Sequence, residues 1–210
     1  MIRIAIVDDH ALVRAGLRKY LAEQVDFKVV AEASNGSEAL EIVRGGEVDV
    51  LVLDLSMPGQ SGVDALQAIR ARAPELPVLI LSGFPEAHYA ATLLKQGASG
   101  YLNKECEPEE IVSAIHTLAR GRRYITPRVA ELIADQLGDK ANLALHETLS
   151  EREFQVFLRL AKGETVGAIS DSLCLSVKTV STYRTRVMEK MKLESNSDLT
   201  YYALKSGLIQ

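Results

Sequence analysis

Along the first 120 residues the chain alternates two hydrophobic rhythms. Largely apolar runs occur at Ile2 to Val7, Lys28 to Ala33, Val50 to Leu53, Val78 to Leu81 and Gly100 to Asn103. Several are apolar at consecutive positions, as strands covered on both faces must be, because both sides of the pleat are then buried. Between them, apolar residues recur every three or four positions, which predicts helices at about 11–24, 37–45, 62–73, 86–96 and 108–120. Strands and helices in strict alternation predict an α/β fold: a doubly wound five-stranded parallel sheet with helices on both faces.

The strand rhythm stops after Gly121. Thr126-Pro127 opens one further helix, with Val129, Leu132, Ile133 and Leu137 at helical spacing, ending near Gly138 and followed by a loop from Asp139 to Glu147. From Thr148 onward the pattern is helical only. Ser150, Thr165, Ser176 and Ser195 are good N-cap residues, and Gly163 and Gly207 are plausible stops. The expected organisation is a domain at 1–121, a linker with one helix at 122–147, and an all-α four-helix domain at 148–210.

Composition changes this picture little. With 47% hydrophobic and 25% charged residues, 210 residues suffice for two domains, each with its own core. No apolar run reaches the roughly 18–20 residues that span a bilayer. The start also lacks the charged leader and apolar stretch of a secretion signal, so the expectation is a cytoplasmic protein with no membrane partner. Cys106 and Cys174 are expected to be reduced and structural, since no second pair completes a metal site. Charge is more informative. The net charge of -4 divides into -6 over residues 1–121 (11 basic, 17 acidic) and +2 over 148–210 (9 basic, 7 acidic). Segment 176–192 alone holds five basic residues against Glu189, a patch suited to phosphates.

The candidate chemistry lies at the strand ends. In an open parallel sheet, ligands collect beyond the carboxyl ends of the strands, where strand order reverses. Here strand one leads into Asp8-Asp9, strand three into Asp54, strand four into Ser82 and strand five into Asn103-Lys104. Clustered carboxylates repel one another unless a cation compensates them, and an oxygen-only set suits Mg²⁺. Lys104 and Ser82 suit a phosphoryl ligand, and Asp54 is placed to attack as a nucleophile. Singly, each residue has a structural explanation as a helix-capping turn, a loop hydroxyl or a solvated charge. Coincidence at four of five strand ends favours a site.

These residues, with Asp54-Leu55-Ser56-Met57-Pro58 followed by Gly62, Ser82-Gly83, and Tyr101 three places before Lys104, resemble the receiver domain of two-component response regulators. The resemblance implies a CheY/flavodoxin-like fold with Asp54 as phosphoacceptor. It implies Mg²⁺ held by Asp9, Asp54 and the Ser56 carbonyl, with Asp8 acting largely through water, and a phosphoryl group read by Ser82 and Lys104. Movement of Ser82 then opens room for Tyr101 to swing inward. The chain departs from the family where Glu105 follows the lysine in place of a common Pro, and where Asn103 occupies a commonly apolar position.

In the second domain, Val166 to Leu173 and Val177 to Met191, joined by Cys174-Leu175-Ser176, form a candidate helix-turn-helix. Val180, Val187 and Met191 share one stripe; Lys178, Thr182, Thr185 and Glu189 face away, flanked by Ser181 and Arg186. Leu149-Ser150-Glu151-Arg152-Glu153, Ala161-Lys162-Gly163, Leu175-Ser176, Lys178-Thr179-Val180 and Arg184-Thr185-Arg186 resemble the LuxR-type output domain. Together the two halves resemble NarL/FixJ-type regulators, and Ser181-Thr182-Tyr183-Arg184 looks most similar to the GacA/UvrY branch. The resemblance implies that Lys178, Ser181, Thr182 and Thr185 face bases, while Thr179, Tyr183, Arg186 and Lys190 meet the DNA backbone. Gly167 and Ala168 stand where many relatives carry a basic and an acidic residue.

The implied protein is a switch, not an enzyme. A sensor histidine kinase donates to Asp54, and promoter binding and homodimerisation follow on double-stranded DNA, with RNA polymerase as a further partner. Three alternatives stand beside it: an aspartyl-phosphate phosphatase, a protein-interaction adaptor, and a phosphorylation-independent DNA-binding regulator. The first fits poorly, because the Asp-x-Asp pattern of haloacid dehalogenase-like enzymes is here Asp8-Asp9-His10.

Overall fold

A computed structural model describes residues 1–57, 62–84, 86–138 and 145–209; Pro58 and segment 139–144 lie outside them. The chain divides into two compact units, Met1–Gly138 and Asp139–Gln210.

In the first unit, strands β1 (Ile2–Val7), β2 (Phe27–Ala33), β3 (Val50–Leu53), β4 (Val78–Ser82) and β5 (Gly100–Asn103) form one parallel sheet in the order β2-β1-β3-β4-β5. Helices α1 (Ala11–Ala22), α2 (Gly36–Gly45), α3 (Gly62–Arg72), α4 (Glu86–Lys95) and α5 (Pro108–Ala119) alternate with them. Every residue of β3 and β4 is buried, as a strand with helices on both faces must be. Strand order reverses between β1 and β3, so the crevice opens where Asp8, Asp9 and Asp54 leave the sheet.

The chain then returns to the sheet. The Tyr124 amide donates to the Ser99 carbonyl at 2.9 Å, forming a bridge beside β5. Helix α6 (Pro127–Gly138), expected from the sequence to lie in the linker, packs against α4 within the first unit. Thr126 anchors it, receiving the Val129 amide and donating to Glu86 Oε2 at 2.9 Å.

The second unit holds a 3-10 turn (Leu145–Thr148) and helices α7 (Glu151–Ala161), α8 (Val166–Ser172), α9 (Val177–Met191) and α10 (Asn196–Lys205). All four predicted caps form, and Ser150 and Ser195 complete reciprocal capping boxes with Glu153 and Asp198. Phe154, Phe157, Leu160, Ile169, Val180, Val187, Met191 and Leu199 are each buried, and α7 packs against α8, α9 and α10. The turn into α9 places Cys174 at φ 52, a left-handed conformation unusual for a non-glycine residue.

His146 is buried in this unit, its Nδ1 2.8 Å from the Tyr202 hydroxyl and its ring against Phe154 and Tyr202. Burial lowers its pKa, so the folded unit disfavours protonation while the unfolded chain takes up a proton near the ordinary value of 6.5. Stability of α7–α10 is therefore expected to be present above that value and to fall as pH drops below it. Urea melts followed by amide exchange of α7 and α9 at pH 7.5 and 5.5 would show the loss, and His146→Phe should remove it. The other three histidines, His10, His88 and His116, belong to the first unit.

Candidate functional site

Backbone bonds set the acidic residues side by side. The Asp54 amide donates to the Val7 carbonyl at 2.8 Å and the Asp8 amide to Ala33 at 3.1 Å, carrying the sheet ladder one residue beyond each strand. Asp8 and Asp54 are almost wholly buried there. Lys104, held by its amide's 2.8 Å bond to the Ser82 carbonyl, places Nζ 2.6 Å from Asp8 Oδ2 and 3.0 Å from Asp54 Oδ2. Ligand atoms of Asp8, Asp9, His10 and Asp54 lie within 4.8 Å of one another. The fold thus gathers Asp8, Asp9, Asp54 and Lys104 at one rim.

Two neighbours of the site are not evident from the sequence. His10 Nδ1 sits 2.8 Å from Asp9 Oδ1 and 3.3 Å from Asp8 Oδ1, and only its adjacency along the chain hints at this. Gly62 belongs to the motif without a local reason, and the structure supplies one. A Cβ there would lie 2.4 Å from the Asp54 carbonyl oxygen and 2.5 Å from Leu55 Cα.

The electrostatics are unfinished without a further cation. Burial, aided by the charge of Asp8, pushes the Asp54 carboxyl above its usual range against the pull of Lys104 and the Ser56 amide. Burial likewise pulls Lys104 down, but Asp54 and Asp8 together outweigh it and leave the amine raised. Asp9 Oδ1 and both Asp54 oxygens are shut off from solvent and lack a well-aligned hydrogen-bond donor, although the His10 ring nitrogen lies 2.8 Å from Asp9 Oδ1 and the Lys104 ammonium 3.0 Å from Asp54 Oδ2. Three carboxylates against one ammonium, with buried oxygens unfilled, form a donor set that fits a hard divalent ion.

Ser82 and Tyr101 meet around one backbone segment. Ser82 is fully buried, and its Oγ accepts the Phe84 amide at 3.2 Å, which leaves the hydroxyl proton available to another acceptor. Tyr101 is 1% exposed and donates to the Phe84 carbonyl at 2.8 Å, where Asn103 Nδ2 also donates at 3.1 Å. The resemblance implies that Tyr101 enters once Ser82 moves. Here it is already inside, with its hydroxyl satisfied by the Phe84 carbonyl.

On α9, Lys178, Ser181, Thr182, Thr185 and Arg186 are exposed, while Thr179 and Tyr183 are half-buried. The Thr182 and Thr185 hydroxyls return to the Lys178 and Ser181 carbonyls one turn back. Thr179 pairs with the capping Ser176 hydroxyl at 2.8 Å. Lys190 turns back toward α7 instead, with Nζ 2.6 Å from Glu153 Oε2 in that helix's capping box. Burial alone would raise the Glu153 carboxyl, yet Lys190 and Ser150 hold it below its usual range. Arg184, from the LuxR-like stretch, donates to Asn196 Oδ1 at 3.0 Å.

Gly167 answers to no packing demand. A Cβ there would find only Thr165 Oγ1, at 3.9 Å. Gly167→Ala should therefore stabilise the second unit by up to about 1 kcal/mol through helix propensity. Denaturant midpoints of the two proteins give the sign directly.

Comparison with known proteins agrees with both halves of this geometry. Residues 4–116 match the response regulator receiver domain, and residues 147–203 match the bacterial regulatory proteins of the luxR family. Response regulator UvrY of Escherichia coli K12 is 39% identical over 209 residues, 99% of this chain and 96% of that protein. Response regulator GacA of Pseudomonas aeruginosa is 36% identical over 210 residues, 100% of this chain and 98% of that protein. Among solved structures, RcsB of Salmonella enterica serovar Typhimurium, bound to promoter rprA with the phosphomimetic BeF3-, aligns at TM-score 0.66 and 26% identity. It covers 96% of this chain and 98% of that one. A LuxR-family two-component regulator from Aurantimonas aligns at TM-score 0.61 and 36% identity, over 65% of this chain and 98% of that one. With strand-end carboxylates, a bridging lysine and a helix-turn-helix in one chain, this protein belongs to the NarL/FixJ-type response regulators, a receiver domain joined to a LuxR-type DNA-binding domain.

Proposed function

We propose that Asp54 is the phosphoacceptor and that its phosphorylation by a sensor histidine kinase controls binding of α9 to double-stranded promoter DNA. One observation carries this reading: a buried carboxylate whose oxygens lack well-aligned hydrogen-bond donors, ion-paired to Lys104 at the sheet's switch point. An Asp54 oxygen attacks phosphorus on a phosphohistidine; the new O–P bond replaces the P–N bond, and the imidazole leaves and takes a proton. Asp9, Asp54 and the Ser56 carbonyl would hold Mg²⁺, with Asp8 acting through water. The ion would offset the charge gathering on the phosphoryl oxygens. Lys104 neutralises one of those oxygens and Ser82 donates to another.

Division of labour follows residues 1–121, 122–147 and 148–210: phosphoacceptor, connector and reader. Among the described residues no helix is long and apolar enough to cross a membrane, consistent with work in the cytoplasm. Two copies paired after phosphorylation would read two half-sites in adjacent major grooves, in reach of RNA polymerase. Lys178, Ser181, Thr182 and Thr185 face bases, and Thr179, Tyr183 and Arg186 face phosphates; Lys190 joins them only by leaving Glu153. The exposed Lys178 and Arg186 favour a DNA reader over a protein-interaction adaptor.

Duplexes selected from a random-sequence pool provide the test. Arg186→Ala should weaken binding across all sequences and flatten the dependence of log affinity on log salt by about one unit, whereas Lys178→Ala should cost about 1–3 kcal/mol on selected sequences. Absence of salt-dependent duplex binding, with or without BeF3-, refutes the reading.

A further inference from the structure

We propose that Asn103 is a positioning residue for the switch: it braces the Phe84 carbonyl and so keeps Tyr101 buried before any phosphoryl group arrives. This rests on the phosphoacceptor reading above. Its geometry is over-determined. The Glu105 amide donates to Asn103 Oδ1 at 2.7 Å, and an amide N–H can only donate, so the oxygen of the side chain is fixed on that side. The nitrogen must then face the Phe84 carbonyl, where it lies at 3.1 Å. One side chain ties the turn that carries Lys104 to the turn that carries Ser82 and Phe84.

The consequence follows from how many groups use Phe84. Its carbonyl accepts both Tyr101 and Asn103, and its amide binds Ser82 Oγ. The carbonyl aimed at Tyr101 stabilises its hydroxyl inside, since burying a polar group is less costly when it is hydrogen-bonded. An apolar residue at position 103 could not hold the carbonyl, and the inward population would then depend on the phosphoryl group drawing Ser82 into line. With Asn103 the competent arrangement is populated beforehand. Apparent affinity for a phosphoryl group or its mimic falls in proportion to the competent fraction. Removing one net hydrogen bond should therefore weaken it by about threefold to tenfold.

The experiment uses the full chain labelled with 3-fluorotyrosine, with the Tyr101 signal assigned through Tyr101→Phe, and beryllofluoride with Mg²⁺ as the probe. The unaltered protein should show a buried Tyr101 environment with or without beryllofluoride. Asn103→Leu should show a solvent-like environment that returns to buried on adding the probe, with a dissociation constant threefold to tenfold higher. Asn103→Asp keeps the acceptor for Glu105 and lacks the donor to Phe84, so it should follow Asn103→Leu, and it decides the matter if the leucine variant does not fold. Unchanged Tyr101 signals and unchanged affinity in the folded variants overturn the role of Asn103 alone. Failure of the unaltered chain to bind beryllofluoride overturns the phosphoacceptor reading, and this proposal with it.

Discussion

An Asp54→Asn chain given acetyl phosphate and Mg²⁺ should keep its mass, while the unaltered protein gains one phosphoryl group that is lost again at alkaline pH. Phosphorylation should fall by more than about a hundredfold, because the amide offers no anionic nucleophile and the other carboxylates are engaged with Lys104 and His10. The same substitution should raise stability. Burial holds the Asp54 pKa above its unfolded value, so the folded state prefers the neutral acid. The stability from that preference is present below the unfolded value near 3.8 and is lost as pH rises through the folded one; at neutral pH the charged group is a burden. An uncharged isostere relieves it. Mass spectrometry and a melting curve on one sample thus separate loss of function from loss of fold. On selected duplex DNA the variant should also lose the phosphodonor-dependent tightening, of the order of 5- to 150-fold for a coupled two-site switch. A melting temperature that falls together with phosphorylation would mean that Asp54 is structural.

Gly62→Ala should be the most damaging substitution of a single methyl group in the first unit. The added carbon would press on the Asp54 carbonyl oxygen at 2.4 Å and on Leu55 Cα at 2.5 Å, which are backbone atoms with nowhere to retreat in a filled core. Gly62 is also bound there by its own amide, which donates to the Leu55 carbonyl at 3.1 Å. Overpacking of this kind costs about 3 kcal/mol, or roughly 10 °C in melting temperature. Because the strain lands on the exit from β3, phosphorylation should slow by up to about a hundredfold through a misplaced Asp54 carboxylate. Gly16→Ala is the control. Gly16 lies within α1 with nothing within 4 Å of its missing Cβ, so alanine there should stabilise by up to about 1 kcal/mol. Opposite signs for one chemical change would show that position, not helix propensity, dictates Gly62. Equal melting temperatures for the two variants would remove that explanation.

The sheet is readable because burial on two faces leaves a mark that composition cannot imitate. Val50 to Leu53 is apolar at every position, and all four residues are buried in β3. The predicted carboxylate rim forms for the same reason: once the strands are placed, topology alone brings Asp8, Asp9 and Asp54 together. Contacts between residues far apart in sequence are not readable. The resemblance places Lys190 at the DNA backbone, but its contact with Glu153, 37 residues earlier, leaves no local mark, since the pattern there shows only an N-terminal cap. Tyr101 is expected to wait for Ser82, since nothing local announces that the Phe84 carbonyl, 17 residues away, already holds its hydroxyl. Asn103 is visible as a departure from the family pattern, but its two hydrogen bonds depend on how two turns meet.

The Thr126–Glu86 contact sets how far news from the acidic rim has to travel. Glu86 opens α4 only two residues beyond Phe84, and Thr126 caps α6, the last helix before the chain leaves the first unit. Any shift of the turn after β4 must either drag the start of α6 along or snap its tie to α4. The start of α6 is thus tied to the start of α4 by neighbouring bonds on one flank of the first unit, beside the turn that carries Ser82 and Phe84.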